Sequence, residues 1–237
     1  MVRKASIPIQ GIEDIIEALQ EFWELLTEEQ RALLRENYTL RNHRKNDVIY
    51  VVGERPTHIY CLLRGKVKIS KNGFGGRSQI VRIVNSVGYI GYRAYWANEH
   101  YSTQATAFEP STVCSFPIEM ITQMVKENGR LAFFFLSHLS VDLGVSDSRT
   151  VNLTQKHIRG RLAESLIFLH ETYGVEQDGY TLSIYLSRED LANLSNMTTS
   201  NAIRTLTSFA SERLIAIDGR KIKLIDEHQL RKIAHIG

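Results

Sequence analysis

The side chains best suited to surface chemistry in this 237-residue chain are Thr198, Thr199, Ser200, Asn201 and Arg204, followed by Lys221 and Lys223. Hydroxyl, amide, guanidinium and ammonium groups suit hydrogen bonding to base edges and phosphate oxygens. They fall in the stretch LSREDLANLSNMTTSNAIRTLTSFASERLIAIDGRKIKLI, Leu186 to Ile225, which reads as helix, tight turn, helix and hairpin. That order is the layout of a winged helix-turn-helix, a module that sets one helix in the DNA major groove.

The elements that must position these groups can be read locally. Ser187 is placed to cap the first helix, with Glu189 and Asp190 in its first turn, where the helix dipole favours negative charge. Leu191 and Leu194 give it an apolar side, and the small Ala192 allows a close helix crossing. Ser195-Asn196-Met197 is a tight turn, with Asn196 tolerating a left-handed backbone. Thr198 or Thr199 caps the second helix, whose inner face is expected to be Ala202, Ile203, Leu206 and Phe209. Thr199, Ser200, Asn201 and Arg204 are left facing outward. Leu214 to Ile217 reads as a strand, Asp218-Gly219 signals a hairpin, and Lys221-Ile222-Lys223-Leu224 alternates basic and apolar. Its two lysines are thereby offered to a phosphate backbone.

Charge neither demands nor forbids this. The net charge is only +3, and from Arg159 onward ten basic residues face ten acidic ones. Within residues 188–225 the balance is six basic against four acidic, so positive charge must be arranged on one face. No apolar run approaches the ~20 residues of a membrane span. The start, MVRKASIPIQGIEDII, turns acidic where a signal sequence would continue apolar, so a cytoplasmic protein is expected. Cys61 and Cys114 lie in strand-like runs and read as buried reduced thiols. There is no Cys-x-x-Cys pair, no HExxH, no GxSxG and no Gly-rich phosphate loop, so an enzyme has little support. The eight histidines are scattered, and a single haem ligand among them stays open.

Residues from about Ile12 to Asn37 look helical, with Ile15, Ile16, Leu19, Phe22 and Trp23 on one face and Thr27 capping a new start. From Tyr38 to Pro117 short apolar runs follow one another: DVIYVVGE, HIYCLLRG, KVKISKNG, SQIVRIVNSVG, QATAFEP and TVCSFP, with Gly53, Gly65, Gly73, Gly75, Gly76, Gly88 and Gly91 between or beside them. That rhythm predicts an antiparallel sandwich or barrel. Pro117 opens a short helix and Asn128-Gly129 breaks it. A long helix is expected from Arg130 to about Gln155, with Phe135, Leu139, Leu143, Ser146, Thr150 and Leu153 as a seam for a partner helix. The alternative is a helix packed on its own domain. A further helix covers Ile158 to Tyr173.

This order of parts resembles the cyclic-AMP receptor and FNR-type (Crp/Fnr) family of bacterial transcription regulators, over nearly the whole chain. Three stretches carry the resemblance: YVVGERPTHIYCLLRGKVKI (Tyr50 to Ile69), NLTQKHIRGRLAESLIFL (Asn152 to Leu169) and the reader LSREDLANLSNMTTSNAIRTL. It implies an α+β chain: an N-terminal cyclic-nucleotide-binding-like double-stranded β-helix (jelly roll), a long dimerisation helix and a C-terminal winged helix-turn-helix. The boundaries expected are 12–128, 129–157 and 158–237. The implied state is a homodimer.

The resemblance also locates an effector pocket: Gly91, Tyr92, Tyr101, Ser102 and Thr103 in the phosphate cassette, with Ser146 and Asp147 on the long helix. Cyclic-AMP binders carry a glutamate for the ribose hydroxyl and an arginine for the phosphate. Tyr92 and Tyr101 stand at those positions, Arg93 is expected to point elsewhere by strand alternation, and the Thr-Ser pair that meets the base becomes Ser146-Asp147. A cyclic phosphate would lose its main charge partner, so cyclic AMP is not the expected effector. Tyr92, Tyr95, Trp96 and Tyr101 either line a pocket for a less anionic ligand or simply fill the roll. The N-terminal cysteines that hold an oxygen-labile iron–sulfur cluster in FNR-type members are missing, while haem stays open.

On the reader, the base-contacting triad maps to Thr199, Ser200 and Arg204, and only Arg204 matches the arginine of well-known members. The loop from Tyr173 to Tyr180, with Glu176 and Asp178, falls where related activators touch RNA polymerase; a plain solvated loop is the alternative. The expected function is a dimeric, sequence-specific DNA-binding transcription regulator reading a near-palindromic site, with an effector-sensing domain. The competing expectation is a small-molecule-binding module whose winged domain mediates protein contacts. Effector identity, target genes and the sign of regulation are not written in the sequence.

Overall fold

The computed structural model describes residues 11–73 and 78–236, so the basic start of the chain and Gly75 and Gly76 lie outside the described residues. Three short helices open it: α1 (Ile12–Ala18), α2 (Gln20–Glu24) and α3 (Glu28–Glu36). Thr27 Oγ accepts from the Gln30 amide at 3.2 Å while Gln30 Oε1 accepts from the Thr27 amide at 3.1 Å, the reciprocal cap expected from Thr-x-x-Gln.

Eight strands follow: β1 (Thr39–His43), β2 (Val48–Tyr50), β3 (His58–Arg64), β4 (Val67–Asn72), β5 (Ser78–Val84), β6 (Gly88–Ile90), β7 (Gln104–Ala107) and β8 (Ser111–Pro117), with a one-turn helix α4 (Tyr92–Trp96) after β6. They form two four-stranded sheets, ordered β1-β8-β3-β6 and β2-β7-β4-β5. The strongly polar β1, TLRNH, pairs antiparallel with β8 from Thr39 to His43. Cys61 and Cys114 are both buried, free, and face each other in the β3–β8 register. One apolar cluster joins Ile15, Leu19 and Phe22 to Ile59, Phe116 and Phe135. A second fills the roll with Tyr50, Leu62, Val67, Ile90 and Tyr101.

After α5 (Ile118–Glu127), Asn128 Oδ1 accepts from the amides of Arg130 and Leu131 at 3.1 and 3.2 Å and starts α6 (Gly129–Gln155). The chain divides into two compact units within this helix, between Leu143 and Gly144. The helix has two apolar faces, and three- and four-residue spacing alone does not say which is outward. Phe135 is 2% exposed and sits in the first of these clusters, and Leu139 packs against it. The seam begun at those two residues is therefore corrected: the apolar side chains left exposed include Phe133, Leu136, Leu143 and Val151.

The second unit contains α7 (Ile158–Tyr173), α8 (Arg188–Leu194), α9 (Thr199–Ser211), a hairpin of β9 (Ile215–Asp218) and β10 (Lys221–Leu224), and α10 (Glu227–Ile236). Its core includes Leu162, Leu166, Leu191, Ala202, Leu206, Phe209 and Leu230. Among the described residues no helix is long and apolar enough to cross a membrane.

Candidate nucleic-acid interface and effector pocket

Local chemistry builds the reader as its residues dictate. Ser187 accepts from the Asp190 amide at 2.9 Å and starts α8. Asn196 takes φ +50° in the turn. Thr198 accepts from the Asn201 amide at 3.2 Å and starts α9. A buried hydrogen bond of 2.8 Å between the Ser195 and Ser165 hydroxyls pins the turn onto α7, so neither hydroxyl is left unpaired in the core. Thr198→Ala is expected to lower stability by about 1 kcal/mol in urea unfolding; an unchanged midpoint would show that this cap is idle.

Ala202, Leu206 and Phe209 face inward, as their spacing demands. Ile203 does not; it is 46% exposed, a correction to the inner face. Its step of one from Ala202 turns it through about 100°, too far round to stay covered. Thr198, Thr199, Ser200 and Arg204 are exposed, and Asn201 is half-buried. The Arg204 guanidinium donates to Asn201 Oδ1, so these two act as one unit. Ile158, Arg159, Asn201, Arg204, Thr205 and Ser208 line a shallow groove of about 280 Å³ beside α9. Arg159 was not expected there. It pairs with both carboxylate oxygens of Glu212, donates to Ser208 at 2.9 Å, and lies 4.7 Å from the Phe209 ring centre. Its fork is spent on holding α7 against α9.

The wing pairs antiparallel with Asp218 opposite Lys221, so the loop is Gly219-Arg220 rather than Asp218-Gly219. Gly219 has φ +55° as first loop residue, the place where a type II′ turn requires glycine. Lys221 and Lys223 sit on the outward side of β10, but neither stands alone. Lys221 lies 3.8 Å from Glu176, and Lys223 lies 3.2 Å from Asp178. Asp178 also accepts from the Thr181 hydroxyl and from the amides of Thr181 and Tyr180. Those bonds hold its carboxyl well below the usual carboxylate range. The loop is thus a stapled turn, with residues 177–180 exposed.

In the roll, Gly91 caps α4 at φ +96°. A Cβ there would come within 2.9 Å of the His58 carbonyl oxygen and 3.1 Å of the Tyr101 hydroxyl, so only glycine fits. Tyr92 is 3% exposed and packs on Trp96 and Phe135, with ring centres 5.0 and 5.3 Å apart. Tyr101 is 5% exposed and stacks on Tyr50 at 3.9 Å. Its hydroxyl is buried without a hydrogen-bond partner among the described residues, and burial pushes its pKa up. Thr103 hydrogen-bonds Tyr50. Arg93 lies on helix α4, where strand alternation does not apply, and its guanidinium donates to Ser102 Oγ at 3.3 Å and to Glu99. The expectation that it points elsewhere is corrected. Ser146 and Asp147 are exposed on α6. Two sheets, a long helix and a capped winged helix-turn-helix define the class: a DNA-binding regulator with a cyclic-nucleotide-binding-type sensory domain.

Residues 40–128 match the cyclic nucleotide-binding domain family and residues 160–233 the Crp-like helix-turn-helix domain family. The chain is 27% identical over 181 residues to the global nitrogen regulator of Nostoc sp., covering 75% of this chain and 81% of that one. It is 25% identical over 197 residues to the anaerobic regulatory protein of Bacillus subtilis, covering 82% and 83%. The structure of FixK2 from Bradyrhizobium japonicum matches with a TM-score of 0.73 at 19% identity, covering 83% of this chain and 96% of that one. The chain belongs to the Crp/Fnr family of DNA-binding transcription regulators.

Proposed function

We propose that the chain acts as a homodimer that reads a near-palindromic DNA site through α9, with Arg204 as its principal base contact. The carrying observation is that α9 presents Thr199, Ser200 and Arg204 to solvent on a helix anchored by Ala202, Leu206 and Phe209. Arg204 bonds guanine O6 and N7, and Ile203, exposed beside it, suits a thymine methyl. Thr198, Thr199, Ser200 and Asn201 contact phosphates or base edges, and Lys221 and Lys223 meet the backbone from the wing. The logarithm of the affinity is expected to fall linearly with log salt. A salt-insensitive complex in fluorescence anisotropy would contradict phosphate contact.

The organisation proposed is an effector domain at 12–128, a dimerisation helix and hinge at 129–157, and a DNA domain at 158–237, in a cytoplasmic protein. Exposed Phe133, Leu136, Leu143 and Val151 on one helix support the dimer. Occupancy of the effector domain shifts the dimer between geometries that do and do not fit successive major grooves. The cassette supports an effector other than cyclic AMP, because Tyr92 and Tyr101 fill the space where a carboxylate and a guanidinium would be needed. Arg93 is exposed and already paired with Glu99. Isothermal titration with millimolar cyclic AMP is expected to show no saturable heat; a saturating isotherm would overturn this. Contact with RNA polymerase is assigned to the loop from Tyr173 to Tyr180, where Tyr180 is 57% exposed.

A further inference from the structure

Two carboxylates face two lysines along the wing. Glu176 and Asp178 are two apart on the loop, Lys221 and Lys223 are two apart on β10, and they pair in step at 3.8 and 3.2 Å. The backbone holds this arrangement. Thr181 bridges antiparallel to Lys223, Val175 bridges to Leu182, and the Leu182 amide donates to the Ile222 carbonyl at 3.0 Å. Glu176 is fixed further by the Tyr185 hydroxyl, over whose ring the Lys221 ammonium lies at 5.5 Å. All four charged side chains are still about 36–48% exposed.

From this ladder we infer that Glu176 and Asp178 are an electrostatic brake on DNA binding at the wing. They occupy the wing lysines when no DNA is present and must be displaced by phosphates. This rests on the reading that Lys221 and Lys223 contact the DNA backbone.

Exposed ion pairs are weak, so the acids do not lock the wing. They do lower its charge. A lysine already neutralised by a carboxylate displaces fewer condensed counterions from the DNA, and counterion release drives binding to any sequence. Base readout by Arg204 draws on none of this. The acids therefore subtract from random and specific binding alike in their electrostatic part, and leave the sequence-dependent part unchanged. A wing with a built-in phosphate mimic fits a DNA domain whose overall charge is balanced.

The test is a double-mutant cycle. The paired variant Glu176→Gln with Asp178→Asn keeps the hydrogen-bonding shape of the turn and removes both charges. Binding to a random duplex is measured by anisotropy between 50 and 200 mM salt, with circular dichroism as a check on folding. The slope of log affinity against log salt should steepen by up to about 1.8, two phosphate contacts at ~0.9 each. That makes the affinity loss over this salt range about tenfold larger than in the parent chain. Adding Lys221→Ala and Lys223→Ala should abolish the difference. If removing the acids leaves the slope unchanged while the lysine pair still lowers it, the brake is wrong and the wing contact stands. If the lysine pair has no effect in either background, the wing contact itself is wrong. Should the paired variant disturb the turn, Glu176→Gln alone should give about half the slope change; no change from it overturns the proposal.

Discussion

Glutamate at both Leu136 and Leu143 is expected to turn the proposed dimer into a monomer and weaken binding to a two-half-site duplex by ~10²–10⁴-fold. Both side chains are exposed, at 57% and 63%, so neither holds the fold of its own chain. Their exposure costs nothing locally to replace, but two buried charges facing two more across a symmetric seam cannot be accommodated. Loss of the dimer removes the tether between two reading heads and leaves each to bind alone. Sedimentation velocity and anisotropy on the same preparation check both halves. A dimer persisting with the two glutamates would place the interface on another face.

Arg204→Ala should cost about 1–3 kcal/mol on the preferred site and little on random DNA. The guanidinium is exposed and its fork is already oriented by Asn201. It offers the bidentate geometry guanine selects, with little ordering left to do. The loss should be confined to one base pair per half-site, seen as relaxed preference there and nowhere else. Equal losses on specific and random duplexes would make Arg204 a phosphate contact. A lysine at this position should not recover the base preference, because a point charge lacks the fork.

The reader was the most legible part of the chain. Ser187, Asn196 and Thr198 each act through hydrogen bonds or backbone geometry within a few residues, so their roles follow from local sequence. The strand rhythm was legible too, except for β6, of which only Gly88 falls in an apolar run, and β1, whose polar TLRNH carries no apolar alternation and is a strand only because β8 offers it a partner edge. Helix α10 was not foreseen. Of its four apolar residues, Leu230, Ile233, Ala234 and Ile236, only Leu230 and Ala234 are buried, although Asp226 accepting from the Gln229 amide was a readable cap. What spacing could not decide was direction. Ile203 and Phe135 are each apolar at a helical step, yet one faces solvent and the other the core. The pairing of Lys221 with Glu176 and of Lys223 with Asp178 joins residues far apart in the chain, and no local pattern announces it. The same holds for the Arg159 fork on Glu212.

Selection from a random duplex pool, with and without a small-molecule extract of cells, tests the proposed reading most directly. A symmetric reader with α9 in the major groove should enrich a near-palindrome whose half-sites lie one helical turn apart, about 34 Å. Each half-site should hold a guanine whose enrichment disappears with Arg204→Ala. Enrichment of no motif under either condition, or of a single asymmetric half-site, would contradict it.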